Sequence, residues 1–161
     1  MNRRRFTALL AGLFTIPRAA LAAPEDKTRA GKIEKLVLSP EEWMKRLTPE
    51  QYAVLRKEGT ERAGSSPLDR EKRKGTFVCA GCDLPLFASD MKYDSGTGWP
   101  SFFTFIPGRL GTRTDLKMIL PRTEYHCVRC GGHQGHVFDD GPPPTGKRYC
   151  NNGLALKFIP A

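Results

Sequence analysis

Five cysteines and three histidines carry most of the chemistry available to this chain of 161 residues. Cys79-Ala80-Gly81-Cys82 and Cys127-Val128-Arg129-Cys130 are two C-x-x-C knuckles with 44 residues between them. Each knuckle turns tightly enough to aim two thiolates at one centre, and two such turns complete a tetrahedral four-sulfur site. Zinc is the expected metal, with iron a geometric alternative. Four protein ligands leave no position open for substrate, so such a clamp is structural and its metal contributes directly to folding. Two other uses stay open. A thioredoxin-type pair would follow a strand in a βαβ unit, which is absent here. Two disulfides, paired across the knuckles, are conceivable in an exported protein.

The fifth cysteine lies in Lys147-Arg148-Tyr149-Cys150-Asn151-Asn152. In an extended segment side chains alternate, which puts Arg148, Cys150 and Asn152 on one face. A guanidinium two residues away on that face favours thiolate, the attacking form. Upstream, His133-Gln134-Gly135-His136-Val137-Phe138-Asp139-Asp140 brings two imidazoles and an acidic pair. His136, Phe138 and Asp140 share a face if this run is extended. A nucleophilic Cys with His acids oriented by carboxylate is the arrangement for thiol chemistry with proton delivery. The same residues also fit a buried Cys serving as a small hydrophobe, and a surface or metal-binding His pair.

Holding these groups together requires a strand-rich scaffold. Short apolar or alternating runs at 76–79, 101–106, 116–120, 124–127, 136–138, 147–150 and 154–159 are separated by turn residues. The turns are Ser95-Gly96-Thr97-Gly98, Pro107-Gly108, Gly131-Gly132 and Gly141-Pro142-Pro143-Pro144. The pattern predicts a mainly β, single antiparallel domain from about residue 75, with helices packed at its N-terminal side. Ser39-Pro40-Glu41-Glu42 and Thr48-Pro49-Glu50-Gln51 each supply cap, first-turn Pro and capping-box residue. They predict two short helices, the second stopping at Gly59.

The N-terminus reads as a cleavable targeting segment over 1–22. Arg3-Arg4-Arg5-Phe6 has the twin-arginine form, an apolar run too short to span a membrane follows, and Ala20-Leu21-Ala22 supplies a small-x-small cleavage site. Residues 23–35 read as a flexible lead-in and 36–161 as the domain. The formal charge of +9 includes four Arg in 1–22 with no acidic residue, so the mature chain carries +5. The basic run 70–74 is preceded by Asp69 and interrupted by Glu71, which argues against a nucleic-acid face.

Several unusual motifs occur in order along 36–160. They are Trp43 with Leu47-Thr48-Pro49-Glu50-Gln51-Tyr52, Gly59-Thr60-Glu61, Pro85-Leu86-Phe87, Ser95-Gly96-Thr97-Gly98-Trp99-Pro100-Ser101-Phe102, and the tail from His133 through Asn152. Together they closely resemble the B-type methionine sulfoxide reductases, which act on the R epimer. The resemblance implies two antiparallel sheets with short N-terminal helices and one zinc, held in a clamp of four cysteines remote from the active site. It implies Cys150 as the nucleophile at the sulfoxide sulfur, leaving a sulfenic acid, with His133 and His136 placing or delivering the proton. Arg148 and Asp140 would tune the thiolate and orient the network. Trp99 and Phe138 would wall the substrate methyl group, and Asn152 would add a hydrogen bond. Many relatives carry a resolving cysteine where this chain has Thr97, so an external thiol or a thioredoxin-like dithiol must reduce the sulfenic acid. Asn151, Gly153 and Gln134 are further departures, bearing on the detail of the pocket. The implied protein is a periplasmic monomer acting on oxidised methionines of exported proteins or on free sulfoxide, without nucleic acid or stable membrane insertion. The competing reading is a non-catalytic zinc-clamp module that binds a peptide or small ligand on the same fold.

Overall fold

A computed structural model describes residues 33–117 and 120–161. The targeting segment expected at 1–22 and most of the lead-in lie outside these residues. Of the lead-in, Ile33 packs against the core and Lys35 Nζ donates to Val128 O at 2.7 Å.

Both helices begin as their caps dictate. Helix α1 is Pro40–Arg46 and α2 is Pro49–Lys57. Ser39 Oγ accepts from Glu42 N at 3.2 Å while the Glu42 carboxylate accepts from Ser39 N at 2.7 Å. Thr48 and Gln51 repeat the exchange, each bond 3.2 Å. These reciprocal bonds satisfy amides that a helix start otherwise leaves unpaired. The second helix stops one residue before the expected Gly59, at Glu58, which takes the left-handed conformation (φ 56°).

The strands are β1 Gly75–Cys79, β2 Pro85–Ala88, β3 Lys92–Tyr93, β4 Ser101–Phe102, β5 Leu110–Asp115, β6 Arg122–Cys127, β7 His133–Phe138, β8 Arg148–Asn151 and β9 Leu156–Pro160. They form two antiparallel sheets, ordered β2-β1-β9 and β3-β4-β8-β7-β6-β5. An aromatic layer joins them. Phe87 stacks on Phe102 at 3.9 Å, Phe77 meets Phe102 edge-on at 5.0 Å, and Tyr125 and Tyr149 extend the layer at 5.5 Å. Edge and offset ring contacts of this kind add to the area each ring buries.

Three expected strands differ. Only Ser101–Phe102 of 101–106 is extended, and β9 starts at Leu156 because Gly153–Ala155 forms a 3-10 turn. The run at 116–120 is not a strand in its described residues. Its place is taken by the polar segment before it, β5, which pairs residue for residue with β6 from Leu110↔Cys127 to Asp115↔Arg122. The apolar letters at 116 and 120 are solvent-facing instead: Leu116 and Leu120 are 72% and 76% exposed. Period-two alternation in β5 is carried by Thr, Arg and Asp, so a hydrophobic count overlooked it.

Candidate active site and metal centre

Cross-strand register lines up the site. Tyr93, Ser101, Cys150, His136, Glu124 and Arg113 are successive register partners from β3 to β5. Partners directly opposite one another point to the same face, so one row of polar side chains crosses the sheet with Cys150 beside His136. On β8 the other alternation set, Tyr149 and Asn151, faces the core, where Tyr125 Oη donates to Asn151 Oδ1 at 2.8 Å. The face expected for Arg148 and Cys150 is therefore the observed one.

The His133–His136 spacing is odd for a strand, yet both rings share this face with centroids 5.4 Å apart. A bulge explains it. The register runs Tyr125↔Gly135 and then His126↔His133, so Gln134 is an extra residue on β7. An inserted residue re-aims the side chains that precede it.

Behind each imidazole sits a carboxylate. Glu124 Oε1 lies 2.8 Å from His133 Nδ1, and Asp115 Oδ2 lies 2.7 Å from His136 Nε2. An ionised carboxylate only accepts, so those two nitrogens carry hydrogens and the opposite ring nitrogens are the free ends. His133 Nε2 is buried without a hydrogen-bond partner among the described residues. Burial pushes His136 below the ordinary imidazole range, outweighing the help it receives from Asp115. Burial alone would raise the Glu124 carboxyl, but hydrogen bonds from His126 and His133 and the charges of His133 and Arg113 bring it to about 2. Asp115 is held well below the usual carboxylate range by the Lys117 backbone amide and by His136. The orienting carboxylates are thus Glu124 and Asp115. Asp140 instead holds Arg148 in a two-pronged pair, 2.8 Å on each prong.

At Cys150 the expected influence of Arg148 is present but outweighed. The thiol is pushed above its ordinary value, because burial outweighs the Arg148 charge that favours thiolate. Thr97, the residue standing at the implied resolving position, is held within its own turn, its Oγ1 2.8 Å from Ser95 Oγ. Its turn depends on Gly98 (φ 86°), where an added Cβ would fall 2.9 Å from Gly64 N.

The thiol opens into a cavity of about 140 Å³ lined by Trp99, His136, Phe138, Cys150 and Asn152, with Thr60 and Arg122 at its sides. That is below the roughly 300–1,000 Å³ of sites for drug-sized ligands; it suits the end of one side chain. Trp99 is fixed by its Nε1–H donating to Glu61 O at 3.1 Å, and the Arg148 guanidinium lies 4.4 Å above the Phe138 ring. Asn152 has its amide committed to backbone: Oδ1 accepts from Glu61 N at 3.0 Å and Nδ2 donates to Gln134 O at 3.0 Å. Glu61 also accepts from Gly153 N and Leu154 N, at 2.6 and 2.9 Å, so it clamps the turn that follows the nucleophile.

Sequence reasoning gave no role to Glu124, Asp115, Glu61, Arg113, Arg122 or His126. Glu124 and His126 were visible as alternate residues in the run ending at Cys127. Asp115 had no signal, because its strand was not recognised.

The four remaining cysteines lie at the far end of β1 and β6, buried, with their sulfurs all within 4.8 Å of one another. Cys79–Cys130 and Cys82–Cys127 are 3.6 and 3.5 Å apart. A tetrahedron with metal–sulfur bonds of about 2.3 Å has sulfur–sulfur edges of about 3.8 Å, so this donor set fits one metal ion. All five cysteines are free of disulfides. Arg46, Arg56 and Arg129 donate to the Gly81, Cys130 and Cys82 carbonyls at 2.7, 2.9 and 3.3 Å, which docks both helices on the knuckles. Among the described residues no helix is long and apolar enough to cross a membrane.

Residues 47–160 match the family described as SelR domain. Peptide methionine sulfoxide reductase B1, chloroplastic, of Arabidopsis thaliana is 52% identical over 136 residues, covering 84% of this chain and 67% of the relative. Peptide methionine sulfoxide reductase MsrB of Methanosarcina barkeri is 54% identical over 121 residues, covering 74% and 85%; that of Leptospira interrogans is 53% identical, covering 74% and 92%. Similarity at this level across the strands that carry both the thiol and the clamp leaves one family: the chain belongs to the B-type methionine sulfoxide reductases.

Proposed function

We propose that this chain reduces the R epimer of methionine sulfoxide in peptides and proteins, through a sulfenic acid on Cys150 that an external thiol recycles. Methionine sulfoxide reduction follows from family membership. The observation that supports the finer reading is the cross-strand pairing of Cys150 with His136 beneath the Trp99 and Phe138 walls. The Cys150 thiolate attacks the sulfoxide sulfur while the oxygen takes up a proton from the histidine network. Oxygen then passes to Cys150 as its sulfur–oxygen bond forms and the substrate's breaks. Methionine sulfur gains two electrons and Cys150 becomes a sulfenic acid. Two thiol equivalents return it to thiol, yielding a disulfide and water.

His133 and His136, each held by a carboxylate, are placed to manage that proton. Arg148 favours the thiolate, Asp140 fixes Arg148, and Asn152 holds the turn beside the substrate. A zinc ion in the Cys79, Cys82, Cys127 and Cys130 clamp would tie β1 to β6. Thr97 at the implied resolving position leaves no thiol there to resolve the sulfenic acid, which favours a thioredoxin-like or small-thiol reductant. Export by the twin-arginine route to the periplasm, action on exported proteins and a monomeric state complete the proposal.

Epimer-resolved turnover with dithiothreitol tests it. Wild type should consume methionine-R-sulfoxide and spare the S epimer, and Cys150→Ser should be inactive with unchanged metal content. Inactive wild type, or turnover surviving Cys150→Ser, would favour the non-catalytic module or another nucleophile.

A further inference from the structure

The bulged residue of β7 does not line the pocket. Gln134 is fully buried between the two centres of the molecule. Its Nε2 donates to Cys79 Sγ at 3.4 Å, and to Gly132 O at 3.5 Å, within the second knuckle's turn. Its Oε1 accepts from Asn151 Nδ2 at 3.4 Å. Its backbone carbonyl accepts from Asn152 N and Nδ2, at 2.8 and 3.0 Å. Asn151 and Asn152 are the two residues that follow Cys150, and Asn151 is itself fully buried and bonded by Tyr125 Oη. One side chain thus spans from a clamp sulfur to the strand that carries the nucleophile.

A buried amide costs free energy unless its donors and acceptors are paired, and an apolar residue of similar size would fill the space without that demand. A satisfied buried polar network offsets this by fixing one arrangement. An N–H donor to a metal-bound thiolate also disperses the sulfur's charge and steadies the ligand, as hydrogen-bond partners behind metal ligands do.

We propose that Gln134 is a positioning residue that couples the loaded cysteine clamp to Cys150, holding Cys79 Sγ with one end of its amide and the residues after the nucleophile with the other. The inference rests on the reading of the four cysteines as a metal site and of Cys150 as the nucleophile.

The test compares metal-loaded, full-length wild type with Gln134→Met, an unbranched replacement of similar length that removes both amide contacts. Gln134→Met should surrender its metal to a competing chelator about 10- to 100-fold faster, the usual range for losing a hydrogen bond to a ligand. In the cobalt(II)-substituted protein the sulfur-to-cobalt charge-transfer band should move to lower energy, because Cys79 has lost a donor. With metal kept saturating, kcat should fall about tenfold at constant KM. Asn151→Ser separates the ends and serves if the first variant does not fold. It should lower kcat while leaving chelator release and the cobalt band at wild-type values, since Gln134 still reaches Cys79. Wild-type release with an unshifted band in Gln134→Met overturns the proposal, and so does unchanged kcat in either variant. Failure of the reductase reading looks different: wild type itself would not turn over, while the release and band measurements would still report on the clamp contact.

Discussion

Arg148→Met isolates the charge that acts on the nucleophile. Residues two apart on a strand are separated by about 6.7 Å. At that distance a unit positive charge stabilises a thiolate by about 2.5 kcal/mol at an effective dielectric of 20, and by about 0.6 kcal/mol in water. Asp140, paired to Arg148 on both prongs, opposes part of this. Because burial keeps the Cys150 thiol above its ordinary value, thiolate is the minor form at pH 7 and its population scales with this energy. Arg148→Met should therefore slow alkylation of Cys150 at pH 7 by about 3- to 70-fold, since 1.4 kcal/mol is a factor of ten. Asp140→Asn should move the rate the opposite way, by a smaller factor. The assay is iodoacetamide labelling of metal-loaded protein between pH 6 and 10, read on the Cys150 peptide by mass spectrometry. An unmoved profile in Arg148→Met, or slower labelling in Asp140→Asn, would refute the reasoning.

Glu124→Gln removes the charge behind His133 and should lower kcat by about 10²- to 10⁴-fold, the range for a positioned acid, at little change in KM; steady-state kinetics decide. Folding stability should weaken below about pH 6.5, read as the melting temperature across pH 5–8. The sign follows from His136: its folded value is depressed by burial, so the unfolded chain binds the extra proton first as pH falls. His136→Asn should flatten that slope. Thr97→Cys restores a thiol at the position where many relatives carry a resolving cysteine, so stoichiometric oxidation should then give an intramolecular disulfide with Cys150, detectable as a loss of two mass units with no free thiol at either position.

What the sequence made legible was local. The capping boxes announced both helices to within a residue, the paired knuckles announced a four-sulfur cluster, and alternation on β8 placed Arg148 with Cys150. The parts it did not reveal come from pairing between distant segments. Glu124 and Asp115 reach the histidines only through the β5-β6-β7 register, and His133 joins His136 only because Gln134 is bulged. The nearer acids, Asp139 and Asp140, were the natural candidates, yet they pair with Lys147 and Arg148 rather than with the histidines. Likewise the Arg148 charge was visible two residues from Cys150, while the burial that outweighs it is a property of the assembled sheet.

The central claim is that Cys150 alone accepts the sulfoxide oxygen. Metal-loaded wild type mixed with one equivalent of methionine-R-sulfoxide in the absence of thiol, then trapped with dimedone, should yield one methionine and one dimedone adduct at Cys150. A disulfide involving any clamp cysteine, or methionine formed while Cys150 stays a free thiol, would contradict it.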